Sequence, residues 1–156
     1  MSKSIEFVFD FGSPNAYLSY FTVKAVAART GAELKITPCL LGGIFKSTNN
    51  QPPMMNFAGV SGKNAMFMRE IERYCERHGL TQFAMNPHFP VNTLLLMRAC
   101  VAYGKDHSLD AYVEAGVKMM WESGLKMDDP DVFVKAFNDA GFDGQALLES
   151  TQDPDV

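Results

Sequence analysis

The stretch FVFDFGSPNAYLSY, residues 7–20, decides the fold because the spacing of its apolar residues changes within it. Before Gly12 the apolar side chains alternate with other positions, which is typical of a β-strand. After the Gly-Ser-Pro triplet they recur at three and four residues, as they do on one face of an α-helix. The sequence therefore predicts a strand over 4–11, a tight turn, and a helix over 14–29.

The next stretch, AELKITPCLL at residues 32–41, has the pattern of a second strand near 33–39. A strand, a helix and a second strand joined by short connections form a βαβ unit, in which the two strands run parallel. Residues 41–62 are rich in Gly, Asn, Pro and Ser, and we expect a long irregular segment there. Beyond them the spacing of apolar residues predicts helices almost to the end of the chain.

Composition limits the classes of function. The 156 residues are 47% hydrophobic and 21% charged, which favours one folding unit with a sizeable core. The net charge is -4 and Lys and Arg are not clustered, so we discount nucleic-acid partners. The first residues hold no apolar signal core and no run reaches the roughly 18 apolar residues of a membrane span. We therefore expect a cytoplasmic protein that makes no membrane contact.

The three cysteines, Cys39, Cys75 and Cys100, are too few and too widely spaced for a disulfide framework or a zinc site. We expect them to be buried free thiols, and we predict no metal site.

Ser13 can be interpreted in two ways. It stands at the N-cap position of the predicted helix, before Pro14, so it can simply cap that helix. It also follows the first strand of a parallel sheet, at the edge where such sheets bind ligands and where a helix N-terminus favours an anion. A thiolate suits a lone hydroxyl donor, whereas a serine nucleophile would need a base, and no histidine is near in sequence.

Three stretches together resemble one family: FVFDFGSPNAYLSY, LLGGIFKSTNNQPP at residues 40–53, and FPVNTLLLMRA at residues 89–99. They are similar to the kappa-class glutathione transferases and the bacterial 2-hydroxychromene-2-carboxylate isomerases, which are related to bacterial disulfide oxidoreductases. The resemblance implies an α/β fold, with a thioredoxin-like βαβ portion over 1–45 and an inserted all-helical domain over 46–156. The oxidoreductases carry C-x-x-C where this chain has SPNA, which excludes dithiol redox chemistry.

The resemblance also implies roles for single residues. Ser13 would be catalytic, holding the sulfur of glutathione as a thiolate. Three residues would bind glutathione as a cofactor: Pro14, Asn50 and Lys63. Five would line the pocket of a small aromatic substrate: Phe11, Tyr17, Phe45, Asn92 and Arg98.

Plainer roles remain open for most of these residues. The aromatic side chains could belong to the core, Asn50 to a turn, and Lys63 to a solvated helix start. Arg98 lies on an otherwise apolar helix, which suits either a substrate carboxylate or a structural ion pair.

The implied function is glutathione-dependent isomerisation of an aromatic-pathway compound such as 2-hydroxychromene-2-carboxylate. In the implied mechanism the thiolate adds to a conjugated carbon, a single bond rotates, and elimination releases the product with glutathione unchanged. One alternative is a glutathione transferase like the kappa class. Another is a non-catalytic module that only binds or dimerises.

The family continues with further strands and a final helix that we do not find in this sequence. A sheet of two strands is marginal, and we expect an uncovered apolar face formed by Phe7, Phe9 and Phe11. Burial of that face predicts a homodimer, and the missing part predicts weak binding of glutathione.

Overall fold

The chain opens with a strand–helix–strand unit and continues as helices. The structure is a computed structural model that describes residues 3–156. Its elements are β1 (Ser4–Phe9), α1 (Pro14–Thr30), β2 (Glu33–Pro38), α2 (Leu41–Ser47), α3 (Pro53–Asn56), α4 (Lys63–His78), α5 (Leu94–Tyr103), α6 (Asp110–Trp121), α7 (Pro130–Asp139) and α8 (Gly144–Ser150). Within these residues no helix is long and apolar enough to cross a membrane.

The predicted βαβ unit is confirmed. β1 and β2 pair in parallel, with Phe7 opposite Ile36. Helix α1 begins after Ser13, whose side chain caps it, and ends at Gly31, whose φ of 67° lies in the left-handed region that glycine tolerates. β1 ends at Phe9, two residues before the predicted end, because the chain there leaves the sheet to form the turn that leads into α1.

The segment 41–62, predicted to be irregular, contains the short helices α2 and α3. No side chain next to α2 caps it. Its first N–H, at Leu41, instead donates to Oδ2 of Asp10 at 2.7 Å. The start of α2 therefore depends on a residue about thirty positions earlier in the chain, which a local pattern does not reveal.

The later helices follow their sequence signals closely. Gly79 ends α4 in the left-handed conformation, with φ at 68°. Asp129 caps α7 through two backbone N–H groups, and Pro130 occupies its first turn. Helix α6 begins after Leu109 and has no side-chain hydrogen bond at its N-cap.

The βαβ portion and the helices share a hydrophobic cluster. Its largest fully buried side chains include Trp121, Tyr17, Tyr20, Tyr112, Phe11 and Phe133. The indole N–H of Trp121, at the end of α6, donates to the backbone oxygen of Phe11 at 2.8 Å. The division into 1–45 and 46–156 stays a prediction, and packing across it is continuous.

The expected uncovered apolar face is wrong. Phe11 is fully buried and Phe9 is 4% exposed, because α1 and α6 of the same chain cover this face. Phe7 is half-buried and stacks on Phe9 with ring centroids 5.7 Å apart. The opposite face of the sheet is largely polar and carries Glu6 and Lys35. The argument for a homodimer from this face is therefore lost, and the homodimer itself stays an untested prediction.

Close packing of Phe11 against α6 gives a test of this arrangement. A Cβ added at Gly116 would lie 2.5 Å from Cε1 of Phe11, within the ring's contact distance. We expect Gly116→Ala to lower the free energy of unfolding by about 1–3 kcal/mol through overpacking. Gly42→Ala is the control, since a Cβ there meets nothing within 4 Å. Urea unfolding measures both, and equal stability of the two variants would contradict this packing.

Candidate functional site

A cavity of about 290 Å³ opens where β1 and β2 end and α1 begins. Its apolar wall is formed by Phe7, Val8, Phe9, Ala16, Leu41 and Ile44. Its polar wall is formed by Asp10, Ser13, Asn15, Ser19 and Cys39. Of the predicted site residues, Ser13 is the one that contributes to this wall. We call this space the Ser13 cavity.

Ser13 is the N-cap residue of α1. Its φ and ψ of -95° and 119° are extended, as the N-cap position requires. Its Oγ accepts a long hydrogen bond of 3.4 Å from the backbone N–H of Ala16. Accepting that bond leaves the hydroxyl proton free to be donated to a ligand. The 17-residue α1 has no acidic side chain in its first turn, so none there offsets the positive end of its dipole.

Asp10 is a site residue that the sequence reasoning missed. It is 3% exposed, and its carboxylate accepts three hydrogen bonds. Oδ1 accepts from the backbone N–H of Gly12 at 2.8 Å and from the hydroxyl of Thr93 at 2.6 Å, and Oδ2 accepts from Leu41. The available signal was an acidic residue within an apolar strand pattern, two positions before a glycine, which is the spacing of a local Asp turn.

Cys39 brings a thiol into the same wall as Ser13. It follows β2, and its backbone N–H donates to the oxygen of Phe9 at 2.9 Å. All three cysteines are free, as predicted, but only Cys100 is buried; Cys39 and Cys75 are half-buried. Burial raises the pKa of the Cys100 thiol to about 12.

The aromatic residues predicted for a substrate pocket do not line the Ser13 cavity. Phe11 is fully buried and packs edge-on against Phe9, with ring centroids 5.0 Å apart. Tyr17 is 1% exposed and donates its hydroxyl to Glu122 at 2.8 Å; burial and that carboxylate raise the pKa of Tyr17. The sequence was compatible with either a core or a pocket position for Phe11 and Tyr17, and the structure places both in the core. Phe45 is half-buried on α2, outside the cavity wall.

Asn50 and Lys63, predicted to bind glutathione, also lie outside the cavity wall. Oδ1 of Asn50 accepts hydrogen bonds from the backbone of Gln51 at 2.8 Å and from the side chain of Asn56 at 3.2 Å. Nζ of Lys63 lies 5.3 Å from the ring centroid of Phe57. Their contacts with glutathione stay predictions. Pro14 directly adjoins the site as the first residue of α1.

Asn92 and Arg98 lie together, but along a second cavity of about 470 Å³. The two cavities have no wall residue in common. Arg98 donates from Nε to the backbone oxygen of Thr151 at 2.6 Å and from Nη2 to that of Asp153 at 2.7 Å. It therefore ties α5 to the segment after α8 through backbone carbonyls. The roles of Asn92 and Arg98 in a substrate pocket stay predictions.

The described residues contain no group of three or more His, Cys, Asp or Glu side chains placed to hold a metal ion. The chemistry that the Ser13 cavity offers comes from a hydroxyl donor at a helix N-terminus, a buried carboxylate and an apolar wall.

Comparison with known proteins agrees with this architecture. Residues 4–156 match the profile of the DSBA-like thioredoxin domain. A 2-hydroxychromene-2-carboxylate isomerase from Sphingobium xenophagum is 27% identical over 157 residues, which cover 99% of this chain and 76% of the relative. A solved structure of a 2-hydroxychromene-2-carboxylate isomerase superposes with a TM-score of 0.77 at 19% identity, covering 96% of this chain and 71% of that one. The predicted thioredoxin-like fold is thus confirmed, and the chain belongs to the family of DSBA-like thioredoxin domains.

Proposed function

We propose that this protein is a glutathione-dependent isomerase of an aromatic-pathway substrate such as 2-hydroxychromene-2-carboxylate. The observation that carries the proposal is the Ser13 hydroxyl, placed in a cavity wall at the N-terminus of α1. The two relatives support the reaction class, since each is named a 2-hydroxychromene-2-carboxylate isomerase.

The Ser13 cavity suits the thiol end of glutathione. Ser13 offers a hydroxyl donor, and Val8 and Ile44 offer an apolar surface. No Lys or Arg contributes to the described wall, so the two carboxylates of glutathione would extend beyond it. We assign their binding to Asn50 and Lys63, and we assign Pro14 the role of holding the first turn of α1 beneath Ser13.

Stabilisation of a thiolate follows from elementary energetics. A free thiol has a pKa of about 8.5, so only a few per cent is ionised at neutral pH. A charge-assisted hydrogen bond from Ser13 and the dipole of α1 together supply roughly 2 kcal/mol, which lowers that pKa by about 1.5 units. The carboxylate of Asp10 opposes this effect, but its charge is shared among the donors of Gly12, Thr93 and Leu41.

When bound, glutathione supplies a thiolate that adds to the conjugated system of the substrate and leaves again, so that a bond can rotate in between. The residues of the chain have simpler tasks. Ser13 holds the sulfur in its ionised form, and the apolar wall contacts the bound molecule. A transferase like the kappa class would use the same thiolate but consume glutathione, so the total thiol concentration during turnover separates the two activities. A module that only binds would show neither.

Replacing Ser13 separates its role as a cap from its role in chemistry. We expect Ser13→Ala to lower the free energy of unfolding by about 1 kcal/mol, because the cap is lost. We expect it to lower the glutathione-dependent rate at least about a hundredfold, because a donor to the developing charge is lost. The absorbance change of 2-hydroxychromene-2-carboxylate measures the rate.

Asp129→Ala is the matched control, since it removes the side-chain cap of α7 and touches no residue of the Ser13 cavity. It should lower stability by a similar amount and leave the rate unchanged. A Ser13→Ala variant with a lowered stability and an intact rate would leave Ser13 with the capping role alone.

Cys39 reports on occupation of the cavity. Saturating glutathione should slow alkylation of Cys39 by iodoacetamide, since both thiols would share one wall. Cys75, half-buried on α4 and outside the cavity, should be unaffected, and Cys100 should stay unlabelled because it is buried. Mass spectrometry after a short pulse of reagent in large excess over glutathione measures each site. Equal labelling of Cys39 with and without glutathione would contradict binding in this cavity.

A further inference from the structure

The carboxylate of Asp10 joins three segments that are distant in sequence. Its three donors are Gly12 in the turn before α1, Leu41 at the start of α2, and Thr93 just before α5. A buried carboxylate is stable only when its oxygens receive donors, and bonds to a charged acceptor are stronger than those between neutral groups. The three segments are therefore held to one point.

On one side this point defines the turn that carries Ser13. The N–H of Gly12 donates to Oδ1 of Asp10 at 2.8 Å, and the N–H of Ser13 donates to the backbone oxygen of Asp10 at 3.1 Å. A Cβ at Gly12 would lie 3.2 Å from Cγ2 of Thr93 and 3.3 Å from Oδ1 of Asp10. The absence of a side chain at Gly12 thus permits the close approach of Thr93 to the turn.

The same carboxylate also holds the part of the cavity wall that α2 supplies. Helix α2 has no local side-chain cap, and Leu41 donates its N–H to Asp10 Oδ2 at 2.7 Å. Leu41 and Ile44, both on α2, belong to the apolar wall of the cavity. The distance between the Ser13 hydroxyl and this α2 part of the wall therefore depends on Asp10 and its donors.

We propose that Asp10, anchored by Thr93, is the positioning residue for thiol activation in the Ser13 cavity. It acts through Ser13 and α2, because it fixes the distance between the Ser13 hydroxyl and the part of the cavity wall that α2 supplies. The proposal rests on the proposed function of Ser13, and its consequence for the walls of the cavity can be measured without glutathione.

Two variants and their controls isolate this effect. Thr93→Val removes only the hydroxyl donor, whereas Thr93→Ser keeps it. Asp10→Asn keeps the shape but has a single acceptor oxygen, so its amide group must face either Leu41 or the pair formed by Gly12 and Thr93. Asp129→Ala controls for a general loss of stability.

The first readout uses the protein without glutathione. We expect Thr93→Val and Asp10→Asn to speed alkylation of Cys39 at least about threefold relative to Cys75, because the walls separate when one bond to the buried charge is lost. Thr93→Ser and Asp129→Ala should label like the unaltered protein. Unchanged labelling of Cys39 in both test variants would overturn the proposal.

The second readout is the pH dependence of the glutathione-dependent rate. A displaced Ser13 stabilises the thiolate less, so the midpoint of the rate profile should move to higher pH and the rate at neutral pH should fall about tenfold. A general loss of stability would lower the rate without moving the midpoint. Thr93→Ser should keep the midpoint and the neutral-pH rate of the unaltered protein.

The two readouts also separate this proposal from the proposed function. If the unaltered protein shows no glutathione-dependent rate, the proposed function fails, while faster labelling of Cys39 would still support the wall-fixing role of Asp10. If the test variants show faster labelling of Cys39 but an unchanged midpoint of the pH–rate profile, the link from Asp10 to thiol activation is overturned.

Discussion

The burial of one negative charge at the end of the first strand constrains much of this structure. Asp10 follows β1, where the chain leaves the sheet, and it is 3% exposed. Leaving such a carboxylate without donors would be strongly destabilising. Its donors come from the turn, from α2 and from Thr93 before α5, so it ties the starts of α2 and α5 to the βαβ unit. The bond from Trp121 to the oxygen of Phe11 reinforces this junction from α6.

The same junction makes the site. Because the chain turns at Asp10, Ser13 stands at the start of α1 with its hydroxyl in a cavity wall, and Cys39 after β2 enters the same wall. Residues 13–16 are Ser-Pro-Asn-Ala, and without a cysteine they cannot carry out dithiol exchange. In the function we propose, the hydroxyl of Ser13 instead holds the thiolate of a second molecule.

Local patterns in the sequence were enough for the βαβ unit, for the cap at Ser13 and, to within one residue, for the end of α1, because these depend on neighbouring residues. The start of α2 was missed because its cap is Asp10, distant in the chain. The placement of Phe11 and Tyr17 in the core was undecidable from their apolar character, which suits a core and a pocket equally.

Contacts to the backbone were equally hidden in the sequence. Arg98 donates to two backbone carbonyl oxygens after α8. Every residue has such an oxygen, so the sequence does not indicate which ones will accept. The expectation of an uncovered sheet failed for a related reason. Strand count predicted exposure, whereas α1 and α6 bury the aromatic face within the same chain. The family resemblance, in contrast, rested on three stretches spread over the chain, and the match over residues 4–156 confirms the fold that it implied.

The ionisation of bound glutathione tests the central claim most directly. Thiolates absorb in the ultraviolet where thiols do not, so a pH titration of the difference absorbance between the complex and its free components gives the pKa of the bound thiol. The account predicts a pKa about 1.5 units below the value of about 8.5 for a free thiol, because Ser13 and α1 favour the ionised form. A bound thiol that titrates like free glutathione, or a protein that gives no difference absorbance at saturating glutathione, would contradict it.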